Sequence, residues 1–246
     1  MLPHLTLLLL SFVPPDTWTT QALPPVLDLG NYTILFAEPE RLRPLVNSLW
    51  MAGVATALAV ALGLLAARFS RRAGGGSRRL LEGLVALPWA IPGTVFAIAL
   101  AATFSVSRPW LGRFLWIGTP WILPLAYLVR SLPVTGRAAL AGLRQLDPSL
   151  EEAAAALGAP PRRRLTAVVV PLLRPALVAG AALAFLTAAG DFVTSIVLYT
   201  YSTRPISIEV LSSLRLQQIG LAATYGVLLM ALSAAVFLVW GRRDAV

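Results

Sequence analysis

Residues Pro44–Ala67 read PLVNSLWMAGVATALAVALGLLAA, a run without one charged side chain. A helix crossing the hydrocarbon core of a bilayer needs about 20 predominantly apolar residues, so this run is long enough to span. Four more runs stand beside it: Gly83–Ser107, Phe114–Val129, Pro175–Thr203 and Leu216–Gly241, uncharged except for Asp191. Of the 246 residues 57% are hydrophobic and 13% charged, against roughly 25% charged in a soluble domain. The pattern predicts an all-α fold: a polytopic transmembrane helical bundle of five full spans plus a short N-terminal one, forming a single domain over 1–246. Phe114–Val129 is the shortest run, about 24 Å as a helix. Its flanking Arg113 and Arg130 are expected to snorkel to the two head-group layers.

The residue inventory removes whole classes of chemistry. All 20 basic residues are arginine, there is no cysteine, and His4 is the single histidine. Without lysine the chain has no GxxxxGK[ST] phosphate loop, so ATP hydrolysis by that route requires another protein. Zinc sites, thiol catalysis and a Ser/His/Asp triad lack their residues. The net charge of +9 is read as membrane topology rather than as affinity for nucleic acid. No cofactor is expected on this chain.

Cytoplasmic loops carry the excess of basic residues, so arginine counts orient the spans. Arg68–Glu82 holds Arg68, Arg71, Arg72, Arg78 and Arg79, the segment Arg130–Arg174 holds seven more, and the tail adds Arg242 and Arg243. The opposite side keeps Arg41, Arg43, Arg108, Arg113, Arg204 and Arg215. The first set is therefore expected to be cytoplasmic, with the C-terminus inside and the acids Asp16, Asp28, Glu38 and Glu40 in an external segment. Met1–Val13 is apolar but short for a span. It reads either as a secretory signal peptide or as the outer end of a truncated first helix; the absence of a basic n-region favours the truncated helix.

Within the spans, Gly53, Ala57 and Ala61 recur every four residues, a spacing that lets helices approach closely, although an alanine-rich run also produces it without a packing role. Pro88 and Pro92 in one run, and Pro124 and Pro133 around the next, are expected to kink or end their helices.

Between the third and fourth of the five runs the loop of about 137–174 is longer than a connection requires, so it should be folded or functional. Asp147-Pro148-Ser149-Leu150-Glu151-Glu152 opens a short helix, with Ser149 and Glu152 spaced as an S-x-x-E capping box and acids at the positive end of the helix dipole. The helix should stop at Gly158, in the left-handed position after a helix, and Pro160-Pro161 should start the next. A helix this rich in alanine builds little core of its own and suits insertion into a groove of another protein.

The same stretch carries a family pattern. Glu152-Ala153-Ala154, Gly158 after three residues, then Val168, Val170 and Pro171, follows the spacing E-A-A-x3-G-x9-I-x-L-P. This resembles the EAA motif of binding-protein-dependent ABC importer permeases, with Val168 and Val170 replacing Ile and Leu. Asn47-Ser48-Leu49, Pro88-Trp89-Ala90-Ile91-Pro92-Gly93-Thr94 and Gly190-Asp191-Phe192 resemble the same family. The resemblance implies a six-helix permease of the bacterial inner membrane that pairs with a second permease unit. It also implies ATPase subunits on the inner side that use the ATP, and an external substrate-binding protein. Glu152–Gly158 would be the coupling helix that meets the ATPase. The passage from Gly190 to Ser207 is most similar to the ferric-iron type, in which this chain would correspond to the second of two six-helix halves. Thiamine and polyamine permeases share much of the pattern.

Asp191 has two readings. An ionisable group in a span normally faces a bundle interior or a water-filled path, where this one would favour a cation. Alternatively it is a structural carboxylate bonded to Thr187, Thr194 or Ser195. The competing class, an ion-gradient-driven secondary transporter, calls for paired intramembrane charges or inverted repeats.

Overall fold

The computed structural model describes residues 2–14, 24, 26–106 and 115–241, and among these the regular structure is helical throughout. In chain order the helices are α1 (Leu2–Ser11), α2 (Gly30–Ala37), α3 (Pro39–Arg72), α4 (Gly75–Ala90), α5 (Gly93–Phe104) and α6 (Ile122–Gln145). Then follow α7 (Pro148–Ala156), α8 (Pro161–Arg164), a π-helical turn at Leu165–Val169, and α9 (Val170–Ala189). Three further helices complete the chain: α10 (Ser195–Leu198), α11 (Ile206–Arg215) and α12 (Ile219–Gly241). Asp16, Arg108, Arg113, Arg242 and Arg243, used above to orient the chain, lie outside the described residues, as does Phe114.

Helices α3, α6 and α9 pack against one another and form the centre of the bundle. Met51, Ala52 and Ala55 of α3 meet Ile122, Leu123 and Tyr127 of α6 in one cluster. Leu64 and Ala67, Ala139 and Leu143, and Val169 and Leu173 form a second cluster towards α7. Small residues set the separation. A Cβ on Gly63 would lie 2.8 Å from the Gly136 backbone nitrogen, and one on Gly180 would lie 2.7 Å from the Ala138 Cβ. The buried stripe of α3 is Ala52, Ala55, Ala59, Gly63 and Ala67. It is not the stripe expected from the spacing of Gly53, Ala57 and Ala61: a Cβ on Gly53 meets nothing within 4 Å, and both alanines are exposed. Both registers have the same four-residue period, and only the partner helices choose between them.

The expected membrane-helical bundle is present, with the spans divided differently among the described residues. Pro39–Arg72, Pro161–Ala189 and Ile219–Leu238 are each long and apolar enough to cross a bilayer, and α4 with α5 makes a fourth crossing only as a pair bent by 102°. The break falls at Ile91-Pro92, where proline removes a donor and bars the preceding residue from the helical region. Pro133, by contrast, sits inside an unbroken α6, and Pro88 inside α4. The expected span Phe114–Val129 is displaced: α6 begins at Ile122 and runs on through Arg130, Arg137 and Arg144 to Gln145. The connection expected over 137–174 is correspondingly shorter. The expected span Pro175–Thr203 is likewise interrupted after Ala189, with helix returning only in the four-residue α10.

The short N-terminal segment is a packed helix. Asn31 donates to the carbonyl oxygens of Ser11 at 3.0 Å and Val13 at 2.8 Å, and Thr224 of α12 donates to Ser11 at 3.4 Å. The arginine-rich segments gather at one end of the bundle, where Arg71 reaches the Leu143 carbonyl (3.2 Å) and Arg144 lies 3.7 Å from Glu82. Arg41 and Arg204 lie at the other end, by Tyr225 and Glu209 respectively.

Candidate functional site

Two places bring together the residues singled out in the sequence. The first is α7. Asp147 caps it: its side chain accepts the Ser149 N–H at 2.9 Å, and that backbone bond holds the carboxyl below its ordinary value. The cap is thus Asp147 rather than the Ser149–Glu152 box, because Pro148 already occupies the first helical position and leaves Ser149 inside the helix. At the other end Ala159 N–H bonds the Ala154 carbonyl and Gly158 N–H bonds that of Ala155, the paired bonds of a Schellman ending. Gly158 has φ +81°, as expected of a residue in that position. Pro161 opens α8, also as expected.

No residue of α7 is buried. Glu152 and Ala153 face outwards, Ala154 is half-buried, and Leu157 is 89% exposed. The neighbouring Glu151 does the opposite. Its carboxylate lies 2.5 Å from Arg68, 3.5 Å from Arg72 and 3.8 Å from Arg71, and the Glu151 and Arg68 side chains are each only 13% exposed. One acid thus fastens α7 to the end of α3, while its neighbour Glu152 makes no ion pair among the described residues. Sequence reading placed Glu151 at the start of this helix but did not pair it with these arginines, because the two glutamates differ only in which side of a short helix they occupy. Towards the C-terminal end of the motif, Val168 and Val170 are half-buried and Pro171 is exposed. The buried anchor is the intervening Val169, packed with Leu173 against α3 and α6.

The second place is a cavity of about 220 Å³ whose lining includes Trp89, Tyr127, Arg130, Ser131, Thr187 and Asp191. It lies where two helix breaks approach each other. Asp191 follows the end of α9 instead of sitting mid-helix, and its Oδ1 accepts the backbone N–H groups of Thr194 (2.8 Å) and Ser195 (3.1 Å), capping the turn that leads into α10. Its backbone carbonyl accepts the Ser195 and Ser207 hydroxyls. Tyr127 bonds the Ser195 hydroxyl at 2.6 Å. Of the three partners considered for Asp191, Thr194 and Ser195 are bonded to it, whereas the Thr187 hydroxyl turns back to the carbonyls of Leu183 and Ala184. Arg130 Nε stands 3.7 Å from Asp191 Oδ2. The same guanidinium rests against the other break, since a Cβ on Gly93 would lie 2.8 Å from its Nη1. Asp191 therefore both caps a turn and lines a cavity.

The chain belongs to the family of binding-protein-dependent transport system inner membrane components, whose family model matches residues 59–243. It is 30% identical over 98% of its length to a probable ABC transporter permease protein, y4fN, of Sinorhizobium fredii. It is 32% identical over 86% of its length to the ferric transport system permease protein FbpB of Actinobacillus pleuropneumoniae. To the sulfate transport system permease protein CysT of Escherichia coli it is 34% identical over 66% of its length. It spans 43%, 31% and 61% of the lengths of these three relatives. Its fold is similar to a chain of a bacterial ABC transporter involved in the import of the acidic polysaccharide alginate, with TM-score 0.76, 18% identity, and coverage of 99% of this chain and 88% of that one.

Proposed function

We propose that this chain is a membrane-spanning permease subunit of an ATP-driven importer, with α7 as the element that docks on a separate nucleotide-hydrolysing subunit. One observation carries the reading. Helix α7 buries none of its own residues yet is capped at both ends and held to α3 by Glu151, leaving Glu152, Ala153 and Leu157 facing outwards. A rigid, unpartnered helix with one acid and a bulky apolar tip suits a groove in another protein. In this reading the arginine-rich end, with α7 and the C-terminus, is cytoplasmic, the nucleotide is bound by the partner, and an external protein delivers the cargo to a pathway completed by a second permease unit.

For the cargo we favour ferric iron, supported by the likeness of the Gly190–Ser207 passage to ferric-type permeases and by the FbpB relatives. Sulfate is the second reading, favoured by the CysT relatives and by the guanidinium in the central cavity.

The test is co-purification of the tagged chain with the nucleotide-binding subunit encoded beside it, followed by uptake of labelled iron and of labelled sulfate into cells producing the full set. Recovery of the ATPase with the wild type and its loss with Glu152→Ala is the expected result. A chain that never retains an ATPase, or that hydrolyses ATP alone, overturns the reading.

A further inference from the structure

Helix α6 carries Arg130, Arg137 and Arg144, spaced seven apart. Seven residues advance a helix by about 10 Å and return to nearly the same face, drifting by only about 20°. The three guanidinium groups therefore form a ladder along one side of a central helix of the bundle. Arg130 lines the cavity of about 220 Å³ between the two helix breaks. Arg137 and Arg144 line a second cavity, of about 390 Å³, between α3, α4 and α6 towards the α7 end. Trp89 joins the two, donating its indole N–H to the Arg130 carbonyl at 3.1 Å while the Arg137 guanidinium lies 5.7 Å from its ring.

The acids nearby leave this ladder only partly neutralised. Asp191 is committed to Thr194 and Ser195, and Glu82 to Arg78 and Ser70, each at 2.9 Å. Arg130 and Arg144 stand 3.7 Å from these carboxylates, an ion pair without a hydrogen bond, and Arg137 has no carboxylate within salt-bridge range among the described residues. None of the three guanidinium groups donates a hydrogen bond to a protein acceptor among the described residues. Of the three only Arg130 is half-buried, and a guanidinium held inside a membrane protein is costly and marks a substrate or ion route, whereas Arg137 and Arg144 are exposed and continue the same face towards the α7 end. The guanidinium's planar fork of donors matches an oxyanion in two-point contact, which neither a thiamine nor a polyamine cation can accept.

We propose that the Arg130–Arg137–Arg144 face is the track for an oxygen-bearing anionic cargo. That cargo is either a sulfate-like oxyanion or a metal held within a shell of carboxylate ligands. The inference rests on the permease reading and narrows its substrate class. It replaces the cation route suggested by Asp191 alone, because that carboxylate is spent on capping its turn. The same guanidinium–oxyanion chemistry fits an anionic lipid headgroup in the second cavity, and the experiment separates the two sources.

The full chain is placed in phosphatidylcholine nanodiscs and its thermal unfolding followed with sodium sulfate, citrate or ferric citrate, each against sodium chloride at equal ionic strength. A ligand of the track, at about ten times its dissociation constant, should raise Tm by about 3–5 °C. The shift should vanish in Arg137→Gln and Arg130→Gln, shrink in Arg137→Lys, and persist in the exposed control Arg79→Gln, each variant being compared with its own ligand-free Tm. Equal shifts in wild type and both Gln variants, no shift with any of the three anions, or stabilisation by spermidine instead overturn the proposal. So does stabilisation by phosphatidylglycerol in the nanodisc without any response to the soluble anions, which assigns the second cavity to a lipid. Co-purification with the ATPase is read in parallel. Retained docking without anion binding leaves the permease reading standing and removes the track, whereas anion binding without docking does the reverse.

Discussion

Glu151 and Arg68 lie 83 positions apart in the chain and meet at 2.5 Å, so the surface helix α7 is fastened to the C-terminal end of α3, the longest helix among the described residues. Arg71 and Arg72 stand round the same carboxylate. Helix α3 in turn meets α6 closely at Gly63 and Thr135, and α6 meets α9 at Ala138 and Gly180. Under the proposed function, this chain of contacts is one route by which an ATPase docked on α7 would act on the membrane core.

Arg68 and Glu151 should consequently be coupled. Arg68→Gln and Glu151→Gln should each destabilise the chain by about 1.5–3 kcal/mol, the size of a hydrogen bond to a charged group. The double variant should cost clearly less than the sum, because the second change finds no partner left to lose. Thermal unfolding in nanodiscs gives all three values. Strict additivity would mean that the contact contributes nothing.

Glu152 is expected to behave differently from its neighbour. Since it is exposed and takes no part in the cap, Glu152→Ala should leave Tm unchanged while lowering ATPase recovery and transport several-fold. Gly158→Val should affect both, as a β-branched residue at φ +81° costs about 1 kcal/mol or more and turns the exposed Leu157 tip away. Normal docking by both variants would remove α7 from the interface.

Asp147 gives α7 a pH dependence. Its carboxyl is held below the ordinary value of 3.8 by the Ser149 backbone N–H, so its capping contribution is fully present above the unfolded pKa and is lost as pH falls through the lower folded one. ATPase docking at neutral pH should therefore be insensitive to small pH changes, and should weaken only below about pH 4 through this group. Asp147→Asn should keep the cap and remove the titration, whereas Asp147→Ala should impair docking at neutral pH. The readout is co-purification across pH, and equal behaviour of Asn and Ala would show that the cap is dispensable.

Asp191→Asn should be tolerated better than Asp191→Ala, because an amide oxygen still accepts from Thr194 and Ser195 whereas alanine leaves two backbone donors without a partner. Transport and Tm should fall together for alanine, and Tm should be nearly unchanged for asparagine. A large loss of transport in Asp191→Asn at unchanged Tm would instead give the charge itself a role in the pathway.

Much of this molecule is legible in its sequence. Uncharged runs longer than a bilayer is thick, arginine as the sole base, and the absence of lysine and cysteine define a membrane helical protein without its own phosphate loop or thiol chemistry. The limits of α7 are written in local chemistry: Pro148 at its start and Gly158 at its end act through their own backbone restrictions, whatever surrounds them.

What the sequence left open depends on partners distant along the chain. Arg130 reads as the edge of a span because a charge in hydrocarbon is costly, yet α6 carries it inside, where Asp191 stands beside it and a glycine at position 93 makes room for it. The four-residue period of α3 fits two stripes equally, and the approach of Gly136 selects the one containing Gly63. Glu151 and Glu152 are chemically identical neighbours. Only the position of α7 beside the end of α3 turns one towards the arginines and leaves the other facing out, because an ion pair is formed by proximity in space, which the order of residues does not specify.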